Sequence, residues 1–281
     1  MKVLLLGSTG YIGKIFAQKL KNFVTIPYKN VGIRSLLKSW TEAQFDTIIN
    51  CAGFVGRPNV DAVERNKESA ITGNVLLPSI LGEFLSITKD VRLMHVSTGC
   101  CYESSENQIF TENDKPNLDW SSSKSCSFYS GSKSLAEKVL QKQKNVYISR
   151  LRMPFDEKDC DRNYISKLIN YDKLLSIPNS LSHTDDFTDS CLSLLKKSAP
   201  FGTYNVVNTG HIDAEEICSM IKRYTNIKKE FKFYDDLEEF YFDTRSFPRS
   251  NCKLSNQKLI DAGVEIRNVR DAVRDSLMNW T

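Results

Sequence analysis

Over the first 150 residues, short apolar runs alternate with stretches whose apolar positions recur at helical spacing. Residues 2–6 are a continuous apolar run that Gly7 stops, and a helical pattern follows from Tyr11 to Leu20. Val24 to Pro27 reads as a second strand and Arg34 to Trp40 as a helix. Thr47 to Ile49 is a third strand that closes at Cys51-Ala52-Gly53, with a long helix predicted from Asn66 to Ser86. Val91 to Val96 gives a fourth strand, Phe128 to Gln143 a helix and Val146 to Leu151 a fifth strand. Apolar strands that alternate with amphipathic helices pack as a parallel sheet covered on both faces. Right-handed crossovers then make it a doubly wound, Rossmann-type α/β fold.

The rhythm changes after Met153. Helices are predicted at Tyr164 to Tyr171, Asp185 to Lys197 and Ala214 to Tyr224, with breaks at Pro154, Pro178, Pro200 and Pro248. The expected division is a dinucleotide-binding domain over residues 1–153 and, over 154–281, mainly a smaller substrate-binding lobe. One strand, near residues 202–207, is expected to return to the main sheet. The serine-rich stretch from Asp119 to Ser127 reads as a loop, because serine favours turns over helix interiors.

The chain has 281 residues, enough to bury a full core without covalent staples. It is 41% apolar and 26% charged, with a net charge of +4 from 38 basic and 34 acidic residues. The basic residues are scattered, which argues against a nucleic-acid surface. No run reaches the roughly 18 apolar residues of a membrane span, and no signal peptide is visible. The eight cysteines form neither a C-x-x-C pair nor a zinc-spaced cluster. Free thiols in a reducing cytoplasm and no metal site are therefore expected.

Gly7-Ser-Thr9-Gly10-Tyr11-Ile12-Gly13 lies between the first strand and the first helix. Glycines there allow a tight turn and close approach to a pyrophosphate, and the helix N–H groups point at the anion. A carboxylate at the end of the second strand would read the ribose hydroxyl of NAD. This chain has Pro27-Tyr28-Lys29-Asn30 and then Arg34, cations that favour the extra phosphate of NADP.

Tyr129 and Lys133 are four apart on one helix and so share a face. Thr98 ends the fourth strand on the carboxyl edge, where open α/β sheets bind ligands. A phenol can donate a proton to a ketone oxygen, and a neighbouring ammonium is expected to lower its pKa. Cys100 adds a second acid/base group close by. Cys101 reads as structural and the mid-strand His95 as a core residue.

The glycine loop and the Tyr129/Lys133 pair resemble the extended short-chain dehydrogenase/reductases. Ala52-Gly53-Phe-Val-Gly56-Arg57-Pro58-Asn59-Val60-Asp61, Thr98-Gly99-Cys100 and Arg150-Leu-Arg152-Met153-Pro154 narrow the likeness. So do Arg162-Asn163-Tyr-Ile-Ser-Lys167, Ile177-Pro-Asn-Ser180 and Pro248-Arg249-Ser-Asn251. Together they are similar to the nucleotide-rhamnose synthases of plants and large DNA viruses, over nearly the whole chain. The resemblance implies a bifunctional 3,5-epimerase/4-reductase that converts UDP-4-keto-6-deoxy-glucose to UDP-rhamnose with NADPH. It implies Thr98, Tyr129 and Lys133 as the reductase trio and Cys100 with Lys167 as the epimerase pair, base and acid unassigned.

The implied cofactor contacts are Gly7, Thr9, Gly10, Tyr11, Ile12, Gly13, Lys29, Arg34, Ala52, Gly53, Tyr129, Lys133 and Met153. Arg57, Asn163, Arg249 and Asn251 are the candidate substrate contacts, each with a structural hydrogen bond as its alternative reading. A separate 4,6-dehydratase supplying the keto sugar and a homodimer are further implications. Two alternatives stay open: a monofunctional reductase of the dTDP-rhamnose type, which has no use for Cys100 and Lys167, and a non-catalytic NADP-binding regulatory subunit.

Overall fold

A computed structural model describes residues 1–57, 59–104, 108–123, 126–245 and 249–281. Pro58 and Pro248 of the quoted motifs, and residues 124–125 of the serine-rich loop, lie outside these. Among the described residues ten strands follow in chain order: β1 (Val3–Leu6), β2 (Phe23–Val24), β3 (Thr47–Asn50), β4 (Arg92–Thr98), β5 (Ile109–Phe110), β6 (Val146–Leu151), β7 (Pro154–Phe155), β8 (Ser182–His183), β9 (Gly202–Asn205) and β10 (Lys253–Leu254). Six of them form one parallel sheet in the order β2-β1-β3-β4-β6-β9. The chain leaves β1 towards β2 on one side and returns to β3 on the other. This reversal opens a crevice at the carboxyl ends of β1 and β3, where α/β sheets take their ligands.

Successive side chains of a strand point to opposite faces. Val3 and Leu5 therefore enter a core with Phe16, Phe187, Cys191 and Leu195, while Leu4 and Leu6 enter another with Leu36, Leu81, Phe84 and Leu140. The first face is covered by the Tyr11–Lys19 and Thr184–Lys196 helices, and the second by Ile33–Ala43, Leu77–Ile87 and Phe128–Leu140. A third core belongs to the lobe. It packs Phe155, Ile165, Leu168, Ile217, Ile221, Val273 and Leu277 from the Tyr164–Asn170, Ala214–Tyr224 and Val269–Met278 helices. The two-stranded pairs β5-β10 and β7-β8 tie the lobe to the sheet's carboxyl edge.

The helix predicted from Asn66 to Ser86 is three segments end to end: Lys67–Ile71, a π turn at Thr72–Leu76, and Leu77–Ile87. It also bears on the membrane expectation, which counted unbroken apolar residues. Lys67–Ile87 is 21 residues long with a mean hydropathy of 1.4, long and apolar enough to cross a bilayer. Mean hydropathy tolerates the polar positions at Thr72, Asn74 and Ser79. Here Leu77, Leu81, Phe84 and Leu85 pack into the sheet core.

Candidate active site

The glycine loop is shaped by steric necessity. Gly7 takes a φ of +78°, and a Cβ there would lie 2.7 Å from the Ala52 nitrogen at the end of β3. A Cβ on Gly13 would sit 1.9 Å from the Gly7 carbonyl oxygen. Gly10 caps the Tyr11–Lys19 helix, whose first turn carries no acidic residue. Its free N–H groups and dipole fit a pyrophosphate. Lys29 and Arg34 are both exposed, in the 3₁₀ turn Tyr28–Asn30 and the first turn of Ile33–Ala43, and no carboxylate pairs with either among the described residues. The loop and these cations fit a phosphorylated dinucleotide. Gly13→Ala is expected to weaken NADPH binding by at least about 10-fold, because overpacked backbone must shift. A fluorescence titration reads this, and unchanged affinity would contradict the steric argument.

Beyond β3, Ala52 is buried and Gly53 exposed. Asn74, delivered by the π turn, fixes this segment. It accepts from the Phe54 N–H at 2.7 Å, donates to the Phe54 carbonyl at 2.9 Å and reaches Ser132 at 3.1 Å. One amide thus locks the loop after β3 to the Tyr129/Lys133 helix. Nothing in the sequence pattern marks Asn74. Met153, expected to touch the cofactor, has a φ of 38° at the β6-β7 junction and packs against the lobe core.

Thr98 ends β4, Tyr129 opens the Phe128–Leu140 helix, and Lys133 stands one turn further on. All three are buried. Thr98 hydrogen-bonds the Tyr129 phenol, and its hydroxyl also accepts from the Cys100 N–H at 3.1 Å. The Lys133 ammonium donates to the Val96 carbonyl at 2.9 Å. Behind this helix, Glu137 takes a 2.5 Å bond from Ser97 and a buried ion pair at 2.7 Å from Arg150, which also bonds Tyr102. The sequence reading passed over Glu137 and named Arg150 only within a motif; their partnership requires β4, β6 and the helix to be side by side.

The electrostatics correct one expectation. Burial pushes the Tyr129 phenol up, Cys100 adds to this, and Thr98, Arg152 and Arg162 offset it only in part. Lys133 is not among its main influences, so the phenol is not tuned towards neutrality. It is held protonated, which suits a proton donor. Burial lowers Lys133 to about 8, against opposing pulls from Glu137 and Cys51. Lys133 is then charged below about 8 and neutral above it. Reduction is expected to slow as pH rises through about 8, since positive charge is lost from the phenol's helix face. Single-turnover rates across pH check this, and a flat profile to about pH 9 sinks it.

Cys100, half-buried, follows Thr98 and accepts a hydrogen bond from Arg152 Nη1 at 3.0 Å. Cys101 points away into a core with Tyr102, Phe110 and Cys252. Lys167 stands near the end of Tyr164–Asn170, half-buried. Burial, Arg162 and Arg249 hold its ammonium below the usual value, while Cys100 and Cys160 pull the other way. The thiol, the amine and the phenol thus share one electrostatic neighbourhood, reached from three separate elements. His95 is wholly buried, contacts Asn50 at 3.0 Å and is held neutral by burial.

The candidate substrate residues divide. Arg57 is exposed and sits near Arg162, whose guanidinium it disfavours after burial. Asn163 is wholly buried and caps its helix. It accepts from Ile165 and donates to Asp156 and Lys158, so its side chain is fully used by the chain itself. This corrects its reading as a side-chain substrate contact in favour of the structural one. Arg249 ion-pairs with Asp61, leaving its buried Nε without a partner among the described residues. Asn251 takes a 3.3 Å bond from Asn179, and its buried Nδ2 has no partner among the described residues. Arg57 lies within electrostatic reach of Arg162, and Arg162 and Arg249 within reach of Lys167, a gathering of positive charge suited to an anion.

A parallel nucleotide-type crevice with Tyr129, Lys133 and Thr98 at its carboxyl edge defines a short-chain dehydrogenase/reductase-like protein. The chain belongs to the RmlD substrate binding domain family, whose profile matches residues 1–281. It is 30% identical over 285 residues to a trifunctional UDP-glucose 4,6-dehydratase/UDP-4-keto-6-deoxy-D-glucose 3,5-epimerase/UDP-4-keto-L-rhamnose-reductase of Arabidopsis thaliana. That match covers 97% of this chain and 41% of the relative, so the chain spans less than half of that protein. It is 28% identical to an Arabidopsis thaliana bifunctional dTDP-4-dehydrorhamnose 3,5-epimerase/reductase, covering 96% of this chain and 90% of the relative. The fold matches the crystal structure of the L780 UDP-rhamnose synthase from Acanthamoeba polyphaga mimivirus with a TM-score of 0.87. That match has 23% identity and 99% of both chains covered.

Proposed function

We propose that this protein is an NADPH-dependent bifunctional 3,5-epimerase/4-reductase acting on UDP-4-keto-6-deoxy-glucose and releasing UDP-rhamnose. The observation that supports the reading is that Tyr129 and Lys167 each lie within electrostatic reach of Cys100. A reductase alone needs Tyr129, Thr98 and Lys133. The added thiol and amine suit a second task, moving protons at the carbons beside a ketone.

The ketone at sugar carbon four acidifies the hydrogens at carbons three and five. Epimerisation needs one group to remove a proton and another to return one to the opposite face, with the enolate held between. Cys100 and Lys167 serve as that pair. Tyr129 and Thr98 donate hydrogen bonds to the enolate oxygen. Bound NADPH supplies the hydride for carbon four. Tyr129 then gives its proton to the oxygen there, and Lys133 holds positive charge on the same helix face. Arg57, Arg162 and the free Nε of Arg249 receive the anionic nucleotide end of the substrate. Lys29 and Arg34 suit the extra phosphate of NADP, and Gly7, Thr9, Gly10, Tyr11, Ile12 and Gly13 wrap the pyrophosphate. The keto sugar comes from a separate 4,6-dehydratase. A homodimer and a reducing, cytoplasmic setting complete the reading, the latter in keeping with eight free thiols.

One experiment tests it. The protein is incubated with the 4-keto sugar in D2O without NADPH, and NADPH is then added. Deuterium at carbons three and five followed by rhamnose supports the bifunctional reading. Rhamnose only with an added epimerase overturns it for the monofunctional reductase, and neither exchange nor reduction points to a binding subunit.

A further inference from the structure

Arg150 and Arg152 lie two residues apart and are equally hidden, at 1% and 2% exposed. Arg150 has a carboxylate partner in Glu137. Arg152 has none among the described residues. Its Nη2 donates to Asn179 Oδ1 at 2.6 Å and to the Ser250 carbonyl, its Nη1 to the Cys100 sulfur at 3.0 Å, and its Nε to none of the described residues. A buried guanidinium without a counter-charge is costly. The one atom in its hydrogen-bond set able to become an anion during catalysis is the sulfur.

The guanidinium is also rigidly mounted. The Arg152 backbone is bonded at both ends to Ser182, at 3.1 and 2.8 Å. Asn179 Oδ1, its anchor, is itself fixed by the Cys252 N–H at 2.9 Å. Gly99 makes room for the arginine stem, since a Cβ there would come within 3.3 Å of Arg152 Cδ. A fixed, planar donor of this kind orients its acceptor as well as stabilising it.

We propose that Arg152 is the positioning residue of Cys100. It aims the sulfur at the substrate and balances the sulfur's charge while a proton passes between sulfur and sugar carbon. The inference rests on the epimerase reading above. In the step concerned, one proton moves between sulfur and carbon, and the C–H bonding pair flows into or back from the enolate. The net charge on the sulfur changes by one and Arg152 stays protonated throughout. Arg152 therefore acts through Cys100 and exchanges no proton itself.

The test uses the full chain with Arg152→Gln and Arg152→Lys. Two quantities are read: deuterium exchange relative to hydride transfer on pre-epimerised sugar, and iodoacetamide labelling of Cys100 at neutral pH, followed by peptide mass spectrometry. In Arg152→Gln, exchange is expected to fall at least about 10-fold more than reduction, and Cys100 labelling to slow about 10-fold, with Arg152→Lys in between. Labelling at the wild-type rate with an unchanged exchange-to-reduction ratio overturns the proposal. So does a parallel loss of both activities with a lowered melting temperature, the mark of a merely structural role. Should Arg152→Gln fail to melt cooperatively, Arg152→Lys alone is read by the same criteria. Should the wild type show no exchange, the epimerase reading falls, and the labelling arm, which needs no substrate, still decides the role of Arg152.

Discussion

Cys100→Ser is expected to cut deuterium incorporation at carbons three and five by about 10³-fold, while pre-epimerised sugar is still reduced. A hydroxyl nearly fills the space of the thiol but gives up its proton far less readily, so a group that must cycle between protonated and charged forms is lost. Little else should change. Cys100 is half-buried at a strand end, its backbone N–H stays bonded to Thr98, and Arg152 keeps Asn179 and Ser250. Mass spectrometry of recovered sugar after timed incubation in D2O gives the rate. Exchange at the wild-type rate would remove Cys100 from the epimerase and, with it, the main support for a bifunctional enzyme.

Tyr129→Phe is expected to slow reduction by about 10²- to 10⁴-fold, the usual range for loss of a positioned proton donor. Burial holds the phenol protonated at neutral pH, so the variant lacks a proton that the wild type carries in every molecule. Exchange should fall by a smaller factor, since Thr98 remains to bond the enolate oxygen. NADPH affinity should hold, because the loop from Gly7 to Gly13 is untouched. Single-turnover loss of NADPH absorbance measures the first effect and the D2O assay the second. Equal losses in both would mean that the phenol serves mainly to bind substrate.

Much of the sheet could be read from the chain. The β1, β3 and β6 runs are short, apolar and followed by breakers, so burial on both faces leaves one solution for each. The helix at Val269–Met278 was not anticipated, although Val269, Ala272, Val273, Ser276 and Leu277 lie at helical spacing and are buried. The π turn at Thr72–Leu76 left no signal, because its effect is to rotate Asn74 onto a loop twenty residues earlier.

The candidate site divides in the same way. Local sequence was enough to find the glycine loop, the Tyr129/Lys133 face and Thr98 at a strand end, because each depends on neighbours within one turn or one loop. Cys100 stood out by its place beside Thr98, and motif likeness alone drew attention to Lys167. Three things were settled only in three dimensions. Asn163 turned out to be consumed by its own helix cap. The Tyr129 phenol was pushed up by burial rather than down by Lys133. Arg152, one basic residue among 38 in the sequence, became a buried guanidinium set against a thiol. Each depends on desolvation and on partners distant along the chain, as with Arg152 and Asn179, 27 residues apart. The sequence by itself determined which reactive side chains were on offer and put Thr98 and the glycine loop at the carboxyl edge of the sheet. Tertiary packing decided the state of each group, since burial and counter-charge are properties of the assembled pocket and not of any segment.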